Sequence, residues 1–206
     1  MSEFPNCPVG YIFSQNATRP SIIVAVPRDN FLTNYPIIEF DLDQKSMQAL
    51  TIAEVDATID VYAWKNSHFL QRHACAIEDL FIVIDALEYP CKRLCMTLIS
   101  NGRVVDRQML DKHGWTYVQQ FSLACSSKFL AIVGGELQSG ELSDMVQVSS
   151  ITQPYKMQTI VCLMSARKVP GIGFGSEAPE ELVVYGGFDQ DAAFFAKVEF
   201  INLQTL

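Results

Sequence analysis

The residues of this 206-residue chain best suited to acid–base or metal chemistry are its three histidines, His68, His73 and His113. His68 and His73 are five positions apart, and an odd separation within one strand places two side chains on opposite faces. His113 lies in the loop-like sequence Asp111-Lys-His-Gly. This spacing marks no catalytic or chelating set. We therefore expect structural or solvated histidines, and we predict no catalytic residue, no metal site and no cofactor.

The cysteines also lack the spacing of a metal site. They stand at positions 7, 75, 91, 95, 125 and 162. Structural zinc sites use two close pairs of ligands, whereas Cys91 and Cys95 are followed by no matching pair. Because thiols stay reduced inside cells, we expect these side chains to serve as small, buried apolar groups.

A glycine-rich segment, Gly171-Ile-Gly-Phe-Gly-Ser176, has the composition of a loop that cradles phosphate. Such a loop needs a helix N-terminus directly after it, because the helix dipole and free N–H groups hold the anion. Here Glu177-Ala-Pro-Glu-Glu181 follows, and its proline and carboxylates disfavour phosphate. We interpret the segment as the first strand of a repeat.

Charge and hydropathy narrow the class of partner. The net charge is −8, which opposes binding to the phosphates of nucleic acids. No apolar run reaches the roughly 20 residues that span a bilayer. Residues 1–8 contain neither the basic region nor the apolar core of a secretory signal. We therefore expect a cytoplasmic protein with no nucleic-acid or membrane partner.

The elements that would position any site are short apolar strands that recur along the chain. Two apolar strands end in a glycine pair: Glu181-Leu-Val-Val-Tyr-Gly-Gly187 and Phe129-Leu-Ala-Ile-Val-Gly-Gly135. Each is followed by another strand, at Val198 and Val146 respectively, 11 residues after the second glycine. Two copies without glycines precede them. The equivalent positions 27, 86, 135 and 187 are 59, 49 and 52 residues apart. A period of about fifty residues predicts the four-stranded blades of a propeller.

These repeats resemble kelch repeats. The best match runs from Arg167 to Leu203: a basic residue, a first strand, then Val-Val-Tyr-Gly-Gly, and then a strand pattern like Val-Glu-Phe. Phe40-Asp41 matches the family's Tyr-Asp pair, and Met47 stands where the family has tryptophan. The resemblance implies one all-β domain over residues 1–206 made of kelch-like β-propeller blades. Their approximate limits are 8–50, 51–110, 111–160 and 161–206.

The paired glycines are expected to be structural. Gly134, Gly135, Gly186 and Gly187 each follow an apolar strand. Glycine is favoured where φ is positive or where backbones approach closely. We expect one or both conditions at these turns.

The resemblance further implies a non-enzymatic protein–protein interaction module that presents loops on one propeller face. In an up-and-down blade, the loop joining the second and third strands lies on the same face as the link to the next blade. The candidate residues on that face are Arg28, Asp29, Glu88, Tyr89, Glu136, Glu141, Phe188, Asp189 and Asp191. A merely solvated rim is one alternative. The other is an enzyme on a galactose-oxidase-like propeller, which would use Tyr, Cys and His as copper ligands.

The last repeat predicts an open end. It stops at Leu206, one residue before the position that Met47 occupies in the first repeat, so its fourth strand is missing. The strand at residues 10–15 is required by the first repeat and cannot also complete the last. We therefore expect an incomplete ring of about four blades from a truncated reading frame, which exposes a blade face or pairs with another chain.

Overall fold

The computed structural model describes residues 12–15, 17–18, 21–25, 36–51, 69–87, 92–101 and 103–205. Its strands are β1 Ile12–Gln15, β2 Ser21–Ala25, β3 Pro36–Asp41, β4 Ser46–Thr51, β5 Phe69–Ile77, β6 Leu80–Leu87, β7 Arg93–Ser100, β8 Arg103–Met109, β9 Val118–Gln119, β10 Ser122–Cys125, β11 Phe129–Val133, β12 Glu136–Leu137, β13 Met145–Ser150, β14 Met157–Cys162, β15 Gly171–Phe174, β16 Glu181–Tyr185 and β17 Val198–Asn202. Within these residues the only helical turns are short 3-10 segments at Leu110–His113 and Leu203–Thr205. The predicted all-β class is confirmed.

Four antiparallel sheets follow one another along the chain, each with neighbouring strands in sequence order. We call them blade 1 (β1–β4), blade 2 (β5–β8), blade 3 (β10, β11, β13 and β14) and blade 4 (β15–β17). The β7–β8 hairpin closes between Ser100 and Arg103, where Asn101 has a positive φ of 50°. The Asn101-Gly102 sequence favours a hairpin turn, because both residue types tolerate positive φ. A separate two-stranded sheet pairs β9 with β12.

The pattern of apolar residues along a strand explains whether the strand lies in the middle of its blade or at the outer edge. β6 is a nearly continuous apolar run, and its residues from Phe81 to Leu87 are all buried. Such a strand must be covered on both faces. β14, by contrast, alternates between half-buried and exposed positions, as an outer strand with one solvated face does. The middle strands therefore lie between neighbouring blades, and the outer strands lie at the rim.

The blades stack through their first strands, since β5 lies against β1, β10 against β5, and β15 against β10. We call the face of a blade that meets its successor the forward face, and the opposite one the back face. Between blades 2 and 3 the core contains Ile82, Ile84 and Met96 from the forward face and Leu123, Cys125, Leu130 and Ile132 from the back face. Between blades 3 and 4 it contains Ala131, Val133, Val146 and Val148, then Ile172, Leu182, Val184 and Ile201.

Within the described residues blade 4 has three strands, in the order β15-β16-β17, in agreement with the incomplete last blade that the sequence predicts. Two backbone hydrogen bonds show which residues of β17 bond to β16. Gly186 N–H donates to the Lys197 carbonyl, and Leu203 N–H donates to the Glu180 carbonyl. Hydrogen-bonded pairs alternate along an antiparallel ladder. The backbone groups of Glu199 and Ile201 therefore point to β16, and those of Val198 and Phe200 point to the open edge.

Two further observations bear on the whole chain. β1 pairs with β2 in the first sheet, and the described pairings do not join it to β17. Among the described residues, no helix has both the length and the apolar character needed to cross a membrane.

Candidate functional site

Both glycine pairs form turns that other residues could not adopt without strain. The φ angles are 64° and 104° at Gly134 and Gly135, and 61° and 90° at Gly186 and Gly187. A Cβ atom added at Gly135 would lie 2.6 Å from the Gln119 carbonyl oxygen, and one at Gly187 would lie 2.9 Å from that of Lys168. The turns therefore require glycine for conformation and for space.

The two turns flank one segment, residues 164–170, which links blade 3 to blade 4 and which we call the connector. Gly135 N–H donates to the Arg167 carbonyl at 2.8 Å, and Lys168 exchanges two backbone hydrogen bonds of 3.0 Å with Phe188. Because the same connector is bonded to both turns, the loops that follow Gly135 and Gly187 lie at the same end of their blades.

Arg167 holds this end of the molecule together. Its side chain is fully buried, forms an ion pair with Glu199 of β17, and donates to the Gly186 carbonyl at 3.3 Å. The guanidinium lies 4.9 Å from the centre of the Phe195 ring, a cation–π distance. A buried arginine thus joins the connector, the second glycine turn and the last strand.

The loop of blade 4, residues 188–194, is a compact hairpin. Asp189 Oδ1 accepts hydrogen bonds from the backbone of Asp191 at 3.0 Å and Ala193 at 2.8 Å. The Phe188 and Phe194 rings meet edge to face with centroids 6.0 Å apart. Asp189 therefore shapes the turn, as aspartate side chains commonly do, while Asp191 is exposed.

The loop of blade 3, residues 136–142, is fixed by different contacts. Glu136 lies in β12, and its Oε1 atom accepts a hydrogen bond from Gln119 Nε2 at 3.0 Å. Leu137 N–H donates to the Glu141 carbonyl at 2.8 Å. Glu136 is half-buried, whereas Glu141 is exposed. Of these two candidates, Glu141 is the one free to meet a partner.

Together these segments form what we call the loop surface: residues 136–142, 164–169 and 188–194. It exposes large apolar side chains among its carboxylates: Met164 89%, Val169 49%, Phe188 39% and Phe194 69%. The structure brings five candidates to this surface: Glu136, Glu141, Phe188, Asp189 and Asp191. The other four, Arg28, Asp29, Glu88 and Tyr89, lie outside the described residues.

The histidines take structural positions where they are described. His73 is buried, stacks on Phe121 with ring centroids 3.9 Å apart, and has its pKa lowered to about 3 by burial. The His113 ring lies 6.3 Å from that of Tyr155, and His68 lies outside the described residues. The described part of the chain contains no group of three or more His, Cys, Asp or Glu residues that could hold a metal ion.

The thiols are mainly core residues. Cys75, Cys95 and Cys125 are free and buried, whereas Cys162 is exposed on the outer strand β14. Burial, reinforced by the nearby Asp85 carboxylate, raises the pKa of Cys95 to about 12. Cys7 and Cys91 lie outside the described residues. The expected role as small buried groups holds for three of the four described cysteines.

Two buried ion pairs were not predicted from the sequence. Besides Arg167 with Glu199, Arg72 makes two hydrogen bonds to the Asp85 carboxylate, at 2.6 and 2.9 Å. Arg72 and Asp85 face each other directly in the β5–β6 register, a relation that a predicted hairpin could have suggested. Glu199 is distant from Arg167 in sequence, and only the folded blade brings the two together.

Comparisons with known proteins leave the chain without an assigned family. No protein-family model matches it, and no curated protein matches it.

Proposed function

We propose that this chain is a non-enzymatic protein-interaction module of kelch-like blades, and that the loop surface is its binding site. The observation that carries the proposal is the exposure of Met164, Phe188 and Phe194 beside Glu141 and Asp191 on one end of blades 3 and 4. Protein interfaces are enriched in Phe and Met at their centres and have polar rims. The partner is another protein.

The rigidity of this surface favours the proposal. The connector is bonded to both glycine turns, and the blade 4 loop is closed by the Asp189 carboxylate. Apolar side chains held on an ordered support lose little conformational freedom on binding, so more of their burial contributes to affinity. Large exposed apolar groups on a fixed support are typical of interaction sites.

We include a cytoplasmic location in the proposal. Cys75, Cys95 and Cys125 are free thiols, and reduced cysteines are typical of proteins in the cytosol. Equal recovery of the tagged chain in cytosolic and secreted fractions of its source cell would count against this location.

The interaction is tested by affinity capture from the source cell, followed by affinity measurement with the recovered protein. Phe194→Ser and Met164→Ser each remove an exposed apolar group from the loop surface. Val105→Ser is the matched control, because Val105 is 58% exposed but lies on β8 of blade 2. We expect each loop variant to weaken binding about tenfold, as for a residue worth about 1.4 kcal/mol.

The comparison between variants decides the outcome. Binding that is lost in both loop variants and kept in Val105→Ser supports the loop surface. Equal binding by all three variants contradicts it, and so does capture that only the control variant abolishes.

A further inference from the structure

The forward face of blade 4 is an apolar surface left open to solvent. Tyr185, Val198 and Phe200 are 54%, 55% and 68% exposed. The strand register places Gly171, Tyr185 and Val198 in one row, and Gly173, Val183 and Phe200 in the next. Tyr185 lies directly over Gly171, where no side chain could fit beneath its ring. The face is therefore flat at β15 and apolar at β16 and β17.

The equivalent face of blade 3 is completely covered. Counting from the glycine pairs, Tyr185 corresponds to Val133, Val198 to Val146, and Phe200 to Val148. These three valines are buried, with 0%, 0% and 1% exposure. They pack in one cluster with Leu182 and Val184 on the back face of blade 4. Positions that are exposed in blade 4 are thus core positions one repeat earlier.

The junction between blades 2 and 3 is built in the same way. Ile82, Ile84 and Met96 on the forward face of blade 2 are buried. They pack in one cluster with Leu130 and Ile132, on the back face of blade 3. At the two junctions after blade 2, a forward face is therefore covered by the back face of the following blade, with branched aliphatic residues on its second strand.

The sequence of blade 1 has apolar residues at the strand positions equivalent to this back face. In the register of blade 1, the positions corresponding to Leu130 and Ile132 are Ile22 and Val24. Their partners on β3 are Phe40 and Ile38. The sequence therefore supplies apolar residues at the required positions of blade 1, the first blade in the stacking order.

We propose that the forward face of blade 4 binds the back face of blade 1 of a second copy of this chain. A head-to-tail contact of this kind closes when the copies complete a ring. Two copies contribute eight blades, which is within the range of about four to eight seen in propellers. The expected assembly is a closed dimer with two identical junctions. This contact uses a different surface from the loop surface, so either can exist without the other.

The assembly is tested by sedimentation velocity on the full chain from micromolar to hundred-micromolar concentration. We expect a species of twice the chain mass, and we expect Phe200→Asp and Val198→Asp to give only monomer. Both residues are exposed, so these variants keep the monomer folded. Val105→Asp, at another exposed valine on the outer strand β8, is the control and should remain dimeric.

The orientation is tested by a photoreactive amino acid at position 200 in a mixture of heavy- and light-isotope chains. Cross-links between isotopes that join position 200 to residues 12–51 support the proposal. Cross-links to residues 171–202 would show that two blade 4 faces meet each other and would overturn it. A chain that is monomeric throughout the concentration range would overturn it as well. Loss of partner capture through the loop surface has no bearing on this result.

Discussion

At the residue scale, the glycine turns explain why the second strands of blades 3 and 4 each end in a glycine pair. Gly140 has a φ of 88° but open space around its Cβ direction, whereas Gly187 combines a φ of 90° with a backbone oxygen 2.9 Å from an added Cβ. Gly140 needs only conformational freedom, whereas Gly187 also needs room for the connector. Comparing these two positions therefore separates the conformational reason for glycine from the steric one.

We predict that Gly187→Ala lowers the free energy of unfolding by more than Gly140→Ala does. Positive φ costs an alanine about 1 kcal/mol at either site, and displacement of the connector adds to this cost at Gly187. Gly173→Ala, at a glycine with open space and no positive φ, is the neutral reference. Urea unfolding of the three variants measures the order. Equal losses at Gly187 and Gly173 would contradict the packing described for the turn.

His73 predicts a pH dependence of stability. Burial lowers its pKa from the ordinary 6.5 to about 3, so between these values the unfolded chain binds a proton that the folded chain does not. Stability is then fully present above pH 6.5 and falls with decreasing pH, by up to about 1.4 kcal/mol per unit. His73→Phe keeps a ring against Phe121 and removes the titration. We expect a flatter profile between pH 6.5 and 4 in that variant; an unchanged slope would contradict the buried, neutral imidazole.

The sequence predicts the glycine turns better than it predicts the burial of His73. Two glycines after an apolar strand indicate a strained turn because few other residues tolerate positive φ. The burial of His73 depends on Phe121, which comes from the next blade. Contacts between repeats depend on how the blades stack, and the spacing of residues within one repeat does not contain that information.

At the scale of elements, Arg167 ties the connector to the last strand. Its buried guanidinium balances the Glu199 carboxylate and meets the Phe195 ring. Removing one member of a buried ion pair leaves the other charge without compensation, which costs about 3–5 kcal/mol. Exposed pairs contribute much less, because water already solvates both charges.

We predict that Arg167→Met destabilises the chain by about 3 kcal/mol or more. Lys128→Met breaks the partly exposed pair with Glu180 and should cost less than about 1 kcal/mol. The double variant Arg167→Met with Glu199→Gln should recover part of the loss, since the isolated carboxylate is gone. Chemical unfolding of the four proteins checks these values. Similar losses in Arg167→Met and Lys128→Met would contradict the role assigned to Arg167.

Strands were more predictable than the links between them. The apolar runs at β2, β6, β11 and β16 and their partners lie where the recurring pattern places them. The short β9–β12 sheet and the 3-10 turn at Leu110–His113 were not predicted. Their residues have no regular period, and the pairing of β9 with β12 is accompanied by a bond between residues distant in sequence, Gln119 to Glu136.

At the scale of the whole molecule, the stacking order and the three-stranded blade 4 leave one edge and one face without a neighbour among the described residues. The repeat pattern predicted the three strands of the last repeat at β15, β16 and β17. The sequence could not indicate which side chains the open face exposes. That follows from the register, which places Tyr185, Val198 and Phe200 together.

The most direct test of the open last blade is residue-resolved amide hydrogen exchange along β17. The amides of Glu199 and Ile201 face β16 in the ladder, whereas those of Val198 and Phe200 face the open edge. We predict that Val198 and Phe200 exchange at least about a hundredfold faster than Glu199 and Ile201, because hydrogen-bonded amides exchange only on opening. Equal protection at all four residues would show that another strand completes the sheet, and would contradict an incomplete fourth blade.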